Sequence, residues 1–364
     1  MNKQPVNRYV PDYLVTPGEV LDDYLESYGM TQAELADRTG LAKKTINEII
    51  KAKSPITPET ALKFERVLGR PAHFWNNLER QFQEDRIRLA EKTRLQSSLE
   101  WLKKIPVSRM VKWGWIEKKT QKVDQLEEVL RFFGIAAPDQ WETVWKGCQV
   151  AYRQSQAFQA KPEAVSVWLR QGEIEGRQIS CDPFDPKKFT AVLDEIRSLT
   201  TEKTEVFRPR LEELCASAGV AVVFIPEIPG TRIYGATRWI GNKAIIQLSL
   251  RYKSNDHLWF TFFHEAAHIL KHGRKEVFIE GSGLGCDKED EANTFACNKL
   301  IPPAELRQFI DEDQSDLDSI KNFAEKINIA PGIVVGRLQH ERLIDYKSGN
   351  GLKVYYQWTN EVSN

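Results

Sequence analysis

The sequence His264-Glu265-Ala266-Ala267-His268 lies inside an apolar run, after Phe262-Phe263 and before Ile269-Leu270. On a helix, residues four apart share a face, so His264 and His268 can direct both rings at one metal ion. Glu265 would lie beside the open coordination position, where a carboxylate acts as general base toward water. The pattern therefore predicts a buried helix with the groups of a zinc-dependent hydrolase. The alternative is a pair of core histidines that lie one turn apart by chance.

A third metal ligand is expected on the helix predicted over Asp287–Leu300, which Pro302-Pro303 ends. One stripe of this helix joins a carboxylate to small residues, which suits close approach to another helix. Its members are Glu289, Ala292, Ala296 and Leu300. Glu289 is thus the first candidate and Glu291 the second. An acidic residue in a first turn also suits the helix dipole without binding metal, so the choice stays open.

The N-terminal region predicts a helix, a tight turn and a second helix over residues 30–50. Thr16-Pro17-Gly18-Glu19 has the cap, proline and glutamate of a helix start just before it, and Gly40 suits the turn. The outward residues suit phosphates and base edges in a major groove. The predicted DNA contacts are Gln32, Lys43, Lys44, Thr45, Asn47 and Lys51. The alternative is an ordinary helix pair with a solvated basic face.

The chain has 364 residues, which predicts two or three domains. We expect a mainly α fold with an α+β zincin-like domain that contains a small β-sheet. Val220–Ile225 and Lys243–Leu248 are the predicted strands. Tryptophan and phenylalanine residues are expected to anchor the core of a helical connector over 91–180. They are Trp101, Trp113, Trp115, Phe132, Phe133, Trp141 and Trp145.

The C-terminal region predicts a further helix pair over residues 320–338 and a terminal strand over 352–358. We interpret this helix pair as packing, with DNA binding as the less favoured interpretation. The predicted domains are 12–90 for DNA binding, 91–180 for the connector and 187–310 for the metal domain. Residues 311–364 complete the chain with helices and the strand.

Charge is balanced over the chain, with 51 basic and 51 acidic residues, but uneven along it. Residues 86–131 contain 12 basic and 6 acidic side chains, which predicts either a polyanion-binding strip or a solvated helical face. No apolar run reaches the ~18 residues of a membrane span, and no segment resembles a secretory signal. Five scattered cysteines without a C-x-x-C pair predict free thiols in the cytoplasm.

The metal motifs resemble the ImmA/IrrE family of metallopeptidases. The resemblance covers about residues 205–305 and rests on the H-E-x-x-H helix and on an E-x-x-A-x-x-F-A helix over 289–296 that ends in Leu-Ile-Pro. In that family the first glutamate of the second motif is the third zinc ligand, which implies His264, His268 and Glu289 as ligands. The resemblance implies Zn²⁺ as cofactor and Glu265 as the catalytic base.

The N-terminal region resembles the Cro/repressor helix-turn-helix and, more narrowly, HigA-type antitoxins of the XRE group. This resemblance covers about residues 12–90 and rests on Pro17–Leu21 and Pro71–Glu79 around the motif. It implies a five-helix DNA-binding domain, a palindromic operator, a homodimer and possible binding of a toxin.

Together these features predict a transcriptional regulator that carries a zinc metallo-endopeptidase, which cleaves a repressor or the chain itself to relieve repression. Tyr234, Arg232 and His257 are candidates for stabilising the oxyanion. The alternative is a HigA-type antitoxin and autorepressor that binds a toxin. In that case the zinc domain would be structural or sensory.

Overall fold

The computed structural model describes residues 14–145, 161–272, 278–281, 287–312 and 316–358, the third of these as backbone. It divides into two compact units, Met1–Ser98 and Leu99–Asn364. Among the described residues, no helix has the length and apolar character that crossing a membrane requires. The predicted fold class is confirmed, since helices dominate both units and the second also holds one small sheet.

The first unit holds α1 to α5: Pro17–Ser27, Gln32–Thr39, Lys43–Ile50, Pro58–Leu68 and Ala72–Gln96. The second unit begins with α6 to α9: Leu99–Leu102, Val107–Lys112, Lys122–Phe133 and residues 138–145. Helices α10 to α12 follow at Pro162–Gln178, Pro186–Ser198 and Thr204–Ser217. Then come β1 Val220–Phe224, β2 Ile233–Ile240, β3 Lys243–Leu248, α13 Asn255–Lys271 and β4 Phe278–Gly281. The last helices are α14 Asp287–Leu300, α15 Pro303–Asp311, α16 Leu317–Lys326 and α17 Pro331–His340.

The first unit is the predicted five-helix domain. Thr16 caps α1 and forms the predicted capping box with Glu19. Gly18 lets α1 approach α3 closely, because a methyl group there would lie 2.3 Å from the backbone oxygen of Ile49. The proline-glycine-glutamate sequence at the start of α1 therefore has a packing role as well as a capping role.

The sheet has the strand order β1-β3-β2-β4. Strand β1 is parallel to β3, while β2 runs antiparallel to both β3 and β4. Alternate residues of β1 and β3 enter two different cores, one shared with α13 and one shared with α10. Burial on both faces explains why these two strands are continuous apolar runs that sequence patterning detects.

The predicted connector helices are packed as part of the second unit. Phe133, Trp141, Trp145 and Trp168 share one core with Ile245 of β3. Trp101 and Trp115 are partly buried against the same core, and Trp113 contacts Trp358 edge-on. The exact limits of the predicted domains stay predictions.

The end of the described chain differs from the sequence prediction. The strand expected over 352–358 does not form a ladder: a 3-10 turn spans Asn350–Leu352, and Tyr355 makes one isolated bridge with Ser254. The segment lies beside the N-terminal end of α13, where it meets one short stretch of backbone rather than a sheet edge. The predicted packing of the last helix pair agrees with the burial of Ile333, Val334 and Val335 in α17.

Candidate functional site

Helix α13 carries both histidines of the H-E-x-x-H sequence at its buried centre. The side chains around them belong to the core, so the helix is surrounded by protein along most of its length. His264 and His268 are 1% exposed and Glu265 is 0% exposed. Burial of three ionisable side chains on one turn is costly unless they are paired or bind a metal.

Three candidate ligand atoms converge at this point. His264 Nε2 lies 3.0 Å from His268 Nε2. Glu289 of α14 reaches both rings, with Oε2 3.1 Å from His264 Nε2 and Oε1 3.4 Å from His268 Nε2. Within the described part of the chain, this is the group of histidine and carboxylate atoms close enough to hold a metal ion. Such a donor set of two imidazoles and one carboxylate suits a divalent transition metal.

Helix α14 approaches α13 through the predicted small-residue stripe, because Ala292 and Ala296 are fully buried. This packing brings Glu289, and not Glu291, to the histidine pair. Glu291 instead lies 2.7 Å from Lys271 Nζ and 3.3 Å from His272 Nε2, and its side chain is 49% exposed.

Burial and hydrogen bonding shift the pKa values of Glu289 and His268 toward the forms that bind metal. Burial alone would raise the pKa of Glu289, but hydrogen bonds from His264 and His268 outweigh it and lower the pKa to about 2. Burial lowers the pKa of His268, although Glu289 acts in the opposite direction. Near neutral pH the site therefore offers an ionised carboxylate and a neutral imidazole.

Glu265 is held against strand β2. The Thr237 hydroxyl lies 2.6 Å from Glu265 Oε2 and 3.1 Å from the Glu265 carbonyl oxygen. Because a hydroxyl has only one proton to donate, the nearer oxygen, Glu265 Oε2, is the favoured acceptor. The carboxylate thus has a fixed orientation beside the two histidines of its own helix.

Gly235 allows β2 to pass close over this carboxylate. A methyl group at position 235 would lie 2.6 Å from Thr261 Cγ2 and 2.7 Å from Glu265 Oε1. We expect Gly235→Ala to lower the free energy of unfolding by about 1–3 kcal/mol, as overpacking does. Denaturant titration would measure this loss. Gly351→Ala is the control, since no atom lies within 4 Å of its added methyl; equal stabilities of the two variants would contradict the close packing.

Several residues at the site were not identified from the sequence. His272 lies 2.8 Å from His268 through their Nδ1 atoms, and Asn293 Oδ1 lies 2.9 Å from His264 Nδ1. His272 could have been found, because it follows His268 at the same four-residue spacing. Thr237 and Gly235 had no sequence signal, since they reach the site through the pairing of β2 with β3.

Two of the three candidate oxyanion residues lie in one aromatic cluster. Tyr234 stacks on Tyr252 with ring centroids 5.3 Å apart, and Tyr252 contacts His257 at 4.3 Å. Tyr252 and His257 line a small pocket together with Thr261 of α13. Arg232 has a left-handed backbone with φ of 52° just before β2. Their predicted role stays a prediction.

The helix-turn-helix has the geometry expected from its sequence. Gly40 ends α2 with φ of 67°, and Leu35, Ile46 and Ile49 are buried between the helices. Lys43 and Lys44 are exposed in the first turn of α3, and Lys51 is exposed at its end. Gln32, Thr45 and Asn47 are half-buried. Helix α3 therefore presents lysine side chains to solvent, with half-buried threonine and asparagine side chains beside them.

Comparison with known proteins finds two domain models in the chain. A helix-turn-helix model matches residues 21–75, and an IrrE N-terminal-like domain model matches residues 215–339. The second range contains α13 and α14, so the metallopeptidase-type domain includes the converging ligand atoms.

Curated relatives match over short stretches. Virulence-associated protein I of Dichelobacter nodosus is 35% identical over 66 residues, which are 18% of this chain and 61% of that protein. The chain thus spans about three fifths of the length of this relative. An uncharacterized HTH-type transcriptional regulator of Escherichia coli, YddM, is 29% identical over 63 residues, 17% of this chain and 67% of the relative.

Solved structures also resemble part of the chain. A putative antidote protein of a plasmid maintenance system from Nostoc punctiforme is 26% identical, with a TM-score of 0.23, and the match covers 23% of this chain and 93% of that one. Pseudomonas aeruginosa antitoxin HigA, solved with the higBA promoter, is 24% identical with a TM-score of 0.22. The match covers 23% of this chain and 94% of that one. With both domain models matched, the chain is a fusion of a helix-turn-helix domain with an ImmA/IrrE-type domain, as its sequence motifs predicted.

Proposed function

We propose that this protein is a DNA-binding regulator whose second unit is a zinc-dependent endopeptidase. Its substrate would be a DNA-bound repressor, which includes another copy of this chain. The convergence of His264, His268 and Glu289 beside the buried carboxylate of Glu265 is the observation that carries the proposal. The helix-turn-helix in the same polypeptide supplies a reason for the substrate to be at DNA.

The spacing of the three ligand atoms fits zinc. A tetrahedral zinc ion with bonds of about 2.0–2.1 Å separates its ligand atoms by about 3.3 Å. The atom pairs measured here lie 3.0, 3.1 and 3.4 Å apart. Two histidines and one glutamate also leave a coordination position for substrate or water, as catalytic sites do and closed structural sites do not.

Glu265 would perform the proton transfers of peptide hydrolysis. Zinc, when bound, supplies Lewis acidity toward water and the scissile carbonyl. The Glu265 carboxylate accepts the proton of the attacking water and returns it to the leaving amine nitrogen. The Thr237 hydroxyl, 2.6 Å from Oε2, holds the carboxylate in one orientation for both steps. The fold around α13 also restricts this side chain, since Glu265 is fully buried.

The function is tested on the full chain loaded with zinc and bound to its own promoter. Mass spectrometry would follow cleavage of the chain and of repressors encoded beside it, while a mobility shift follows release of DNA. We expect zinc-dependent cleavage together with loss of the shifted complex. Specific DNA binding without any cleavage would leave a gene-control protein that holds zinc for structure or sensing.

The DNA-binding half makes a separate prediction. Lys43→Ala with Lys44→Ala should weaken promoter binding most at low salt, because each lysine that contacts a phosphate releases a counterion. Losing two such contacts should reduce the slope of log affinity against log salt by about 2. Fluorescence anisotropy over a salt series measures this slope.

The control is Lys187→Ala with Lys188→Ala, a second exposed lysine pair at the start of a helix, in the other unit. It removes the same charge from the chain. Equal salt slopes for the two double variants would show that α3 does not contact the phosphates.

A further inference from the structure

A third histidine extends the histidine row of α13 by one more turn. His272 lies directly after the last residue of the helix, and its backbone N–H donates to the carbonyl oxygen of His268. Its side chain is only 4% exposed, and its ring centroid lies 4.9 Å from that of His268. A buried polar ring at a helix end generally has a specific hydrogen-bonding role.

The hydrogen bonds of His272 have one direction when His268 binds a metal through Nε2. His268 Nδ1 must then carry the ring proton, so it donates to His272 Nδ1 at 2.8 Å. His272 Nδ1 accepts, so His272 Nε2 carries its own proton and points at Glu291 Oε2, 3.3 Å away. The three residues form one chain of hydrogen bonds that starts at the metal ligand and ends on a carboxylate.

Glu291 is fixed at the far end of this chain. Lys271 Nζ lies 2.7 Å from Glu291 Oε1, so the lysine holds the oxygen that His272 does not contact. The lysine ammonium also lies 5.8 Å from the ring centre of Phe295, one turn further along α14. The carboxylate is therefore ionised and anchored, and it can accept from His272.

Helix α14 orients the other histidine in the same way. Asn293 Oδ1 lies 2.9 Å from His264 Nδ1 and accepts its proton, which leaves Nε2 for a metal. The Nδ1 atoms of both imidazoles, on the side away from the converging Nε2 atoms, therefore have hydrogen-bond partners. Asn293 belongs to α14 itself, and His272 contacts Glu291 of α14, the helix that also supplies Glu289. Such outer hydrogen bonds fix the tautomer and the orientation of a metal-binding histidine.

We propose that His272, anchored by Glu291 and Lys271, is a positioning residue that holds the His268 ring in its metal-binding orientation. This inference rests on the proposed metal site and assigns to it residues that the H-E-x-x-H sequence does not contain. Glu291, which the sequence offered as the alternative third ligand, instead accepts a hydrogen bond from His272 and holds its ring in place.

The test compares His272→Leu with His272→Asn in the full chain. Leucine removes the acceptor, whereas the Asn Oδ1 atom can take the position of His272 Nδ1 and accept from His268. We expect leucine to weaken Zn²⁺ affinity by about 10–100-fold, the usual cost of losing such a partner. Asparagine should restore affinity to within a few-fold of the original protein. Chelator competition measures both, and the Co²⁺ absorption spectrum reports ligand geometry independently of any peptidase activity.

Three outcomes are distinguishable. If His272→Leu binds Zn²⁺ as tightly as the original protein, or if asparagine is as damaging as leucine, the positioning role is wrong. The melting temperature of each metal-free variant detects a general folding defect, and asparagine with unchanged stability but restored affinity supports the proposal. If the original protein binds no Zn²⁺, or if His264→Ala binds it equally well, the proposed metal function itself fails.

Discussion

Glu265→Gln should reduce peptide cleavage by about 10²–10⁴-fold while leaving zinc affinity unchanged, because general-base catalysis accounts for a rate factor of this size. The substitution keeps the shape of the side chain and its contact with the Thr237 hydroxyl, which lies 2.6 Å from Oε2. It removes the negative oxygen that accepts the proton of water. The measurement is the single-turnover rate of cleavage at saturating zinc, with metal content determined on the same sample.

Two controls separate loss of the base from loss of the fold. Promoter affinity should be unchanged in Glu265→Gln, since the helix-turn-helix belongs to the other compact unit. Unfolding free energy should not fall, because a neutral amide is less costly to bury than a carboxylate at a site that is 0% exposed. Cleavage at the original rate in this variant would exclude Glu265 as the proton acceptor.

Glu289→Gln should lower zinc affinity by about three orders of magnitude. Apparent binding free energies of structural zinc sites with four protein ligands are on the order of 10–16 kcal/mol, so one ligand accounts for about 4 kcal/mol. Glutamine removes the charge of a carboxylate whose pKa the two histidines lower to about 2. Chelator competition at neutral pH measures the change.

Glu291→Gln is the matched comparison, because both glutamates lie in the first turns of α14 and both contact a histidine. Its effect should be much smaller, about 10-fold, since Glu291 acts only through His272. A larger loss for Glu291→Gln than for Glu289→Gln would reverse the assignment of ligand and anchor.

Local patterning predicted the elements that form either a periodic stripe or a continuous apolar run. Strands β1 and β3 were predicted because both of their faces are buried, which makes them continuous apolar runs. Strand β2 was not, since it contains Gly235, Thr237 and Arg238 where an apolar residue would be expected. Gly235 and Thr237 approach Glu265 on one face of β2. Arg238 forms an ion pair with Glu173 on the other face. Close packing and buried polar contacts replaced the usual strand pattern.

The amino-acid sequence alone indicated the helix that carries His264, Glu265 and His268, because two histidines four residues apart inside an apolar run suit one face of a buried helix. It also determined the turn at Gly40, where the left-handed backbone favours glycine. Only the tertiary structure decided between Glu289 and Glu291, since both are acidic residues in the first turns of one helix. Helix α14 packs against α13 with Ala292 and Ala296 buried. In this packing one carboxylate lies at the histidine pair and the other lies beside His272 and Lys271.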